Sequence, residues 1–405
     1  MAFLLAERAI LFALPGKGKV QLPSALFQTP TLEEPEQAVL RRIDALRARI
    51  QAATGGFGQP RKWLGNLRSS LQARAVQGSN SIEGYHISLD DAIAAVEGEE
   101  LIDATREAAL AVVGYQSAMS FVLRMADDPY FAYSNQLLKS LHFMMLQHRP
   151  DKNPGRWRHG AVHVEEAASG AVVYQAPEVE LVPSLMDAFI DSLAEGGDLS
   201  PLVRAAMAHL NLAMIHPFSD GNGRMARCVQ SLVLARKGTV APVFSSIEEY
   251  LGRNTPAYYA VLAEVGNGAW HPERDARPWL RFCLVAHFRQ ATTLVRRIDE
   301  AERLWERLDS TRRGLGLPER MLAALSDAAM GYRVRNATYR ARTGLSLKLA
   351  GRDLKELADR GLLVPKGERR GRSYVGSDEL RRVGAEIKGT RDPLPDPFTD
   401  ADPLV

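Results

Sequence analysis

Apolar residues recur three or four positions apart along most of this 405-residue chain, and this spacing constrains its fold more than any other feature. Such spacing gives a helix one apolar face, which must be buried against other elements. The predicted helices cover residues 32–52, 63–77, 90–96, 104–125, 135–146, 182–193, 201–215, 256–265 and 278–308. The sequence therefore predicts a mainly α protein with a helical core.

One segment among these helices has the pattern of strands. Val162, His163 and Val164 alternate in polarity, residues 165–170 are suited to a turn, and residues 171–174 return as a second apolar run. This pattern predicts a β-hairpin with a polar tip over residues 161–174.

Composition and cysteine usage restrict the class of protein. The chain has 46% hydrophobic and 24% charged residues, close to globular averages, and its length favours two or three domains. Cys228 and Cys283 lie in apolar helical patterns and form no disulfide or metal framework, which favours a reducing cytoplasm. Glu7 and Arg8 interrupt the apolar N-terminus, and no stretch approaches the length of a membrane span. We expect a cytoplasmic protein without a membrane partner.

Residues 216–227 (His-Pro-Phe-Ser-Asp-Gly-Asn-Gly-Arg-Met-Ala-Arg) carry the chemistry of this chain. An apolar stretch precedes the run and a helical pattern follows it, which places the run in a loop at a helix N-terminus. Unpaired N–H groups and the positive end of the helix dipole suit such a terminus to phosphate.

The phosphate-binding candidates are clustered in the middle of this run. Gly221 and Gly223 have no Cβ and let the backbone approach a phosphate closely. Asn222 can donate from its side-chain amide. Arg224 and Arg227 are three residues apart, so on a helix they share a face and can bind the same polyphosphate.

The remaining polar groups suit proton transfer and metal binding. His216 titrates near neutral pH and can accept a hydroxyl proton. Asp220 can hold Mg²⁺, whose sites usually combine one or two carboxylates with substrate phosphates. Phe218 is apolar among polar neighbours, so we expect it to anchor the loop in the core.

The run resembles the signature of Fic-domain proteins, His-x-Phe-x-(Asp/Glu)-Gly-Asn-Gly-Arg-x-x-Arg, and matches every specified position. The typical activity of the family is transfer of AMP from ATP to a hydroxyl side chain of a target protein. The resemblance implies that His216 is the general base, Asp220 binds Mg²⁺, residues 221–223 form an anion hole, and Arg224 and Arg227 bind the phosphates.

Two alternatives to this activity follow from the same run. A phosphate loop can persist in an enzyme that has lost its activity, but no key group is missing here. Kinase-like relatives carry Lys in place of the second glycine of the signature, so Gly223 favours nucleotidyl transfer.

Residues 79–84 (Ser-Asn-Ser-Ile-Glu-Gly) resemble the inhibitory motif of the same family, (Ser/Thr)-x-x-x-Glu-(Gly/Asn). Ser79 and Glu83 are four residues apart and share a helical face. The resemblance implies that Glu83 pairs with Arg227 and displaces the γ-phosphate of ATP. The alternative is a surface glutamate at a helix end, and residues 85–88 depart from the Thr-rich continuation typical of the motif.

Two further segments resemble parts of the family that border the active site. Residues 153–158 are similar to its Pro-Gly-x-x-Arg segment, which leads into a flap that pairs with the target; the alternative is a plain structural hairpin. We expect Arg158 to be structural. Asn254 and Tyr258 resemble residues beside the adenine, although tyrosines at helical spacing are more often part of the core.

The chain becomes strongly basic near its C-terminus, with 15 Lys and Arg against 6 Asp and Glu over residues 310–375. Predicted helices at 317–329, 337–343 and 347–360, followed by short strands at 362–364 and 373–375, resemble a winged helix-turn-helix, which often follows Fic domains. Ser346 is the expected cap of the recognition helix, with Lys348, Arg352 and Lys355 on its exposed face. The basic face suits DNA phosphates or, alternatively, an oligomerisation or docking role.

The predicted organisation is an N-terminal helical region (1–100) with the inhibitory helix at about 63–84, a Fic core (101–309), a winged helix-turn-helix (310–385) and a disordered tail (386–405). The expected activity is Mg²⁺-dependent transfer of AMP from ATP to a Ser, Thr or Tyr hydroxyl of a target protein, held off by Glu83. Removal of AMP with Glu83 positioning a water, or an ATP-sensing DNA-binding regulator, are the alternatives. The sequence leaves a homodimer open.

Overall fold

The computed structural model of the chain describes residues 26–55, 61–165, 172–195, 197–237, 241–368 and 372–399. The helices in these ranges are α1 (Glu34–Thr54), α2 (Leu64–Ile82), α3 (Leu89–Val96), α4 (Arg106–Met125), α5 (Asn135–Leu146), α6 (Val182–Ala194), α7 (Pro201–Ile215), α8 (Asn222–Lys237), α9 (Glu248–Arg253), α10 (Thr255–Gly266), α11 (Arg277–Gly314), α12 (Leu322–Met330), α13 (Asn336–Thr343), α14 (Leu347–Asp359) and α15 (Asp378–Lys388). The strands are β1 (His163–Glu165), β2 (Val172–Gln175), β3 (Gly268–Ala269), β4 (Leu363–Lys366) and β5 (Ser373–Gly376). The prediction of a mainly α protein is confirmed.

The centre of the fold is α7, which packs along α8 and is buried on almost all sides. Pro201 occupies its first turn, where no backbone N–H is needed, and the Ser200 side chain accepts from the Leu202 N–H at 3.3 Å. Because neighbouring helices surround α7, the loop that joins it to α8 is held from several directions. That loop contains residues 216–221.

Contrary to the expectation from the sequence, α4 is long and apolar enough to cross a membrane by length and composition. Half of its apolar window is nevertheless buried inside the protein. Its buried residues, such as Val112, Tyr115 and Val122, belong to the main hydrophobic cluster. This burial is the pattern of a helix in a protein core.

The predicted hairpin forms, but it belongs to a sheet of three strands. β1 and β2 pair in antiparallel fashion with Val164 opposite Tyr174, and β3 adds in parallel to β2 with Gly268 opposite Tyr174. The turn lies outside the described residues. β3 was not predicted, because two residues are too few to establish a period of two.

α2 continues five residues beyond its predicted end at residue 77. Ser79 and Asn80 are fully buried, and the Asn80 side chain donates to the Val76 carbonyl at 2.8 Å, so the polar run stays helical. Gly84, with φ of +82°, then redirects the chain. α2 also lies very close to α9: a Cβ on Gly78 would be 2.5 Å from the Glu248 carbonyl oxygen. This close approach fixes α2 against the core.

The basic C-terminal part has its own hydrophobic cluster, which includes Leu304 and Leu308 near the end of α11. β4 and β5 form an antiparallel pair, and a single bridge joins Val334 to Tyr374 of β5. The Ser346 side chain accepts from the Leu349 N–H at 3.3 Å, as expected of a cap on α14. α15, which periodicity did not predict, packs on α12.

Residues 386–405 were predicted to be disordered, but residues 386–388 complete α15 and residues 389–399 lie against the helical core, while residues 400–405 lie outside the described residues. Arg42 of α1 and Arg289 of α11 donate to the carbonyls of Pro397 and Pro395 at 2.8 and 3.1 Å. Phe398 packs on the main cluster. Proline carbonyls and one aromatic ring therefore hold a segment whose composition suggested a free tail.

Candidate active site

His216 ends α7 in the left-handed region, with φ of +52°. Its Nδ1 lies 3.2 Å from the Ala213 carbonyl, which fixes the ring when Nδ1 carries the proton. Nε2 then keeps its lone pair. Burial lowers the pKa of His216, so the imidazole is neutral at neutral pH and can accept a proton.

The loop after His216 is held by aromatic stacking and by its own side chains. Phe218 is fully buried, as expected of an anchor, and its ring stacks on His142 with 3.7 Å between centroids. His142 Nε2 lies 3.0 Å from the Asp220 carbonyl. No feature of the sequence signals this role of His142, since it depends on α5 packing beside the loop.

The side chain of Asn222 has a different role from the predicted one, which was to donate to a phosphate. Its Oδ1 accepts from the Phe218 N–H and its Nδ2 donates to the Phe218 carbonyl, both at 2.9 Å. The side chain is 2% exposed, so its amide is committed to shaping the loop. Asn222 also begins α8. The backbone N–H groups in the first turn of this helix have no helical carbonyl to bond, so they are available to a phosphate.

Arg158 was expected to be structural, and its contacts agree with that expectation. Its Nε donates to the His216 carbonyl at 3.0 Å and its Nη1 to the Gly160 carbonyl at 2.8 Å. Its Nη2 donates to the Pro177 carbonyl. One buried guanidinium therefore joins the loop to both sides of the hairpin.

The two glycines of the run lie where side chains would collide. Gly221 has φ of +76°, and a Cβ there would be 2.8 Å from Leu146 Cδ1. A Cβ on Gly223 would be 2.6 Å from Glu83 Oε1 and 3.1 Å from Arg227 Nη1. Gly223 therefore leaves the space in which Glu83 and Arg227 meet.

Arg224 and Arg227 are each 1% exposed, yet their hydrogen-bonding capacity is not filled by the described residues. Arg224 Nε and Nη1 and Arg227 Nη1 are buried without a partner there. The Arg224 guanidinium lies 5.4 Å from the centre of the Tyr85 ring and 4.0 Å from Asp220 Oδ1. Buried guanidinium groups with unused donors fit an anion that supplies several oxygens.

α2 contacts Arg227 through both residues of the predicted inhibitory motif. Arg227 Nη2 is 2.7 Å from Glu83 Oε1, while Nε donates to Ser79 Oγ at 2.8 Å and Nη2 to the Ser79 carbonyl at 3.0 Å. Burial acts to raise the pKa of Glu83, but the charges of Arg227 and Arg224 outweigh it and hold that pKa below its usual value. Glu83 is therefore ionised and tightly paired.

The two residues predicted to lie beside the adenine, Asn254 and Tyr258, have their side chains engaged elsewhere. Tyr258 is 1% exposed, and its hydroxyl lies 3.0 Å from His209 Nε2, so it belongs to the core rather than to a base pocket. The Asn254 side chain donates to the Tyr250 carbonyl at 2.8 Å and closes the end of α9. The neighbouring Tyr259 is 45% exposed, and its hydroxyl donates to the Ile82 carbonyl at 3.3 Å. Tyr259, which was not among the predicted base-pocket residues, is the tyrosine that lies beside the end of α2.

The hairpin is attached directly beside the proton acceptor. The Tyr174 hydroxyl of β2 donates to the Met214 carbonyl at 2.8 Å, two residues before His216. The strand order β1-β2-β3 leaves β1 at the edge of the described sheet. An edge strand presents main-chain groups to which an extended segment can add.

Comparison with known proteins identifies this region. Residues 132–234 match the Fic/DOC family. The chain is 27% identical over 263 residues to a protein adenylyltransferase Fic of Nematostella vectensis, covering 62% of this chain and 55% of that protein. It is 30% identical over 207 residues to the protein adenylyltransferase fic-1 of Caenorhabditis briggsae, covering 50% of this chain and 37% of that protein. The chain thus spans about half or less of these curated relatives.

Solved structures agree on the fold. A Fic family protein from Desulfovibrio desulfuricans G20 aligns with a TM-score of 0.55 and 22% identity, covering 87% of this chain and 99% of that one. Fic-1 of C. elegans aligns with a TM-score of 0.51 and 22% identity, covering 64% of this chain and 72% of that one. Residues 132–234 of the chain therefore match the Fic/DOC family, and the fold is similar to that of solved Fic proteins.

Proposed function

We propose that this protein transfers AMP from ATP to a Ser, Thr or Tyr hydroxyl of a target protein. One observation carries the proposal. The loop after α7 and the first turns of α8 hold together the neutral imidazole of His216 and two buried arginines, Arg224 and Arg227, that have unused hydrogen-bond donors. The names of the curated relatives, protein adenylyltransferases, support the same activity.

In the proposed reaction His216 Nε2 takes the proton of the target hydroxyl as its oxygen attacks the α-phosphorus of ATP. The bond between that phosphorus and the bridging oxygen to the β-phosphate breaks, and pyrophosphate leaves. The α8 N-terminus and Arg224 face the charge that builds up on the phosphates. Fixed donors are effective because they need no reorganisation during the reaction.

Asp220 is the residue that would hold Mg²⁺. Its Oδ1 accepts from the Gly221 N–H at 2.6 Å, and its side chain is 32% exposed, so the carboxylate is placed at the mouth of the phosphate loop. No group of three or more His, Cys, Asp or Glu side chains suited to a metal occurs among the described residues. One carboxylate completed by substrate phosphates is a usual magnesium arrangement. Bound there, the metal would neutralise phosphate charge.

The contact between α2 and Arg227 supports the proposal that the enzyme is held inactive. Arg227 cannot direct the same donor to Glu83 and to the γ-phosphate of ATP. ATP bound without this arginine would be poorly aligned for attack. Glu83 is thus the proposed inhibitory group, with Ser79 orienting the guanidinium.

A second candidate function is supported by α14. Lys348, Arg352 and Lys355 are exposed on this helix, and Ser346 caps its start. Exposed cations on one helix suit contact with DNA phosphates. This function would belong to the C-terminal part and does not compete with AMP transfer.

Intact-mass analysis after incubation with ATP and Mg²⁺ tests the enzymatic proposal. The Glu83→Gly variant should gain the mass of AMP on itself or on an added protein, and a second change, His216→Ala, should abolish the gain because the proton acceptor is lost. His271→Ala, at a histidine outside the loop whose side chain is 44% exposed, is the matched control and should keep the gain. Retained transfer in the His216 variant would refute the assignment of the base.

A further inference from the structure

A cavity of about 250 Å³ lies where the inhibitory helix meets the C-terminal part of the chain. Its wall combines Arg74 of α2, Arg253 at the end of α9, Arg297 of α11, and Lys388 and Arg391 at and after the end of α15. None of the residues 216–227 lines it. The cavity is therefore separate from the candidate active site.

The wall of the cavity carries more positive than negative charge. Three of its guanidinium groups share a single carboxylate: Glu249 lies 2.6 Å from Arg297, 2.7 Å from Arg253 and 3.6 Å from Arg74. One negative charge cannot neutralise three. Burial acts to raise the pKa of Glu249, but these arginines lower it to about 2, so the carboxylate stays ionised. The net charge of Glu249 and its three arginines is therefore positive.

Lys388 adds a charge with no carboxylate of its own. Its Nζ donates to the Met330 carbonyl at 3.2 Å, and the acidic group that acts on its charge, Glu300, is paired with Arg391. Burial and the neighbouring charges of Arg391 and Arg74 lower the pKa of Lys388. The position of the lysine is set by close packing, because a Cβ on Gly384 would lie 1.9 Å from the Ala329 carbonyl oxygen.

The acidic residues of the wall are already engaged. Glu300 pairs with Arg391 at 2.6 Å. Asp327 shares Arg342 with Glu97; Arg342 lies outside the cavity lining, and burial raises the pKa of Asp327 to about 6. Glu300 also acts on Lys388 and Arg297, but one carboxylate shared among several cations leaves the wall with more cations than carboxylates.

We propose that this cavity binds a small phosphate-bearing anion, held by Arg74, Arg253 and Lys388. Guanidinium groups can each offer two parallel N–H donors to phosphate oxygens, and the lysine supplies a point charge. The Tyr332 hydroxyl, which accepts from Arg74 at 3.2 Å, adds a neutral donor for a further oxygen. Such a ligand would join α2, α9 and α15.

A ligand in this cavity would regulate AMP transfer through the position of α2, a consequence that rests on the proposed function. Arg74 lies in the middle of α2, five residues before Ser79, and Glu83 follows the last residue of the same helix. A ligand that ties Arg74 to Lys388 would hold α2 in the position where Glu83 meets Arg227. Its binding would therefore favour the inhibited arrangement.

Calorimetric titration of inorganic phosphate and pyrophosphate into the full chain, at constant ionic strength, tests the site. The candidate active site also suits phosphates, so the titration uses the Arg224→Ala variant. One site should remain there, and adding Lys388→Met should weaken it by about tenfold or more, the loss of one charge-assisted hydrogen bond. Lys388→Arg should keep the affinity, as should Lys366→Met, the control at an exposed lysine of β4. Equal affinities in the Lys388→Met and Lys366→Met variants would overturn the proposal.

Hydrogen exchange of the Arg224→Ala variant locates the ligand without any assay of AMP transfer. Phosphate should slow exchange in α2 and in residues 378–391 together. Slowed exchange confined to residues 216–227, or none, would overturn the proposed site. Because neither measurement needs catalysis, failure of this site and failure of the proposed enzymatic function give different results.

Discussion

Replacing Glu83 with glycine is the perturbation whose effect follows most directly from the structure. Among the described residues, Glu83 Oε1 is the charged acceptor of Arg227, at 2.7 Å, while Ser79 supplies two neutral acceptors. The Glu83 side chain is 18% exposed and Arg227 is 1% exposed, so this pair is worth more than a surface ion pair. A hydrogen bond between charged partners contributes about 1.5–3 kcal/mol.

This energy sets the expected gain in activity. If Glu83 competes with the γ-phosphate for Arg227, losing about 1.5–3 kcal/mol of competition should raise AMP transfer about 10- to 150-fold. The same change leaves the Arg227 charge buried without its anion, which destabilises the fold in the absence of ATP. ATP should restore the melting temperature more in the variant than in the wild type, because it supplies the missing negative charge.

The assay follows transfer of labelled AMP to the chain itself and to added proteins, alongside melting curves with and without ATP. Glu195→Gly is the matched control, since Glu195 also follows the last residue of a helix but is exposed. The double variant with Arg227→Ala should lose the gain, because the arginine to be released is gone. A Glu83→Gly rate equal to that of Glu195→Gly, or a double variant as active as the single one, would refute the reasoning. Loss of an AMP-removing activity would instead favour the hydrolytic alternative.

Three further outcomes are expected. Asp220→Ala should abolish the effect of Mg²⁺ on ATP affinity, and equal affinities with and without the metal in both wild type and variant would reject Asp220 as the ligand. Burial raises the pKa of Glu248 to about 7. Because that pKa is higher in the folded than in the unfolded chain, ionising Glu248 costs about 3 kcal/mol of stability as pH rises from about 4.5 to 7. Glu248→Gln should therefore gain stability relative to wild type between pH 5 and 8 in urea unfolding, and a constant difference would contradict this. Arg352→Ala or Lys355→Ala should weaken DNA binding and reduce its salt dependence, whereas no binding at low salt by the wild type would leave a docking role for α14.

The chemistry of the loop could be predicted from the sequence because it is local. Residues 216–227 are contiguous, so the chain itself brings His216, Asp220 and the two arginines together. Helix α7 was predicted at its observed bounds, since its apolar spacing and the Ser200–Pro201 start agree. The contact of Glu83 with Arg227, 144 residues apart, was expected from family resemblance rather than from spacing.

Tertiary packing determined side-chain contacts that the local sequence pattern could not predict. Tyr258 faces His209 because neighbouring helices determine which side of α10 is buried. The stacking of His142 on the loop likewise needs α5 in place.

The cavity depends even more on tertiary structure. Its cations come from four regions of the chain, and α15 and the segment after it had no predicted contacts with the core. Sequence alone determined the local chemistry of the phosphate loop, because covalent connectivity holds those groups within reach of one another. The tertiary structure decided which charges meet across the fold, because burial and pairing between distant segments depend on how the helices pack.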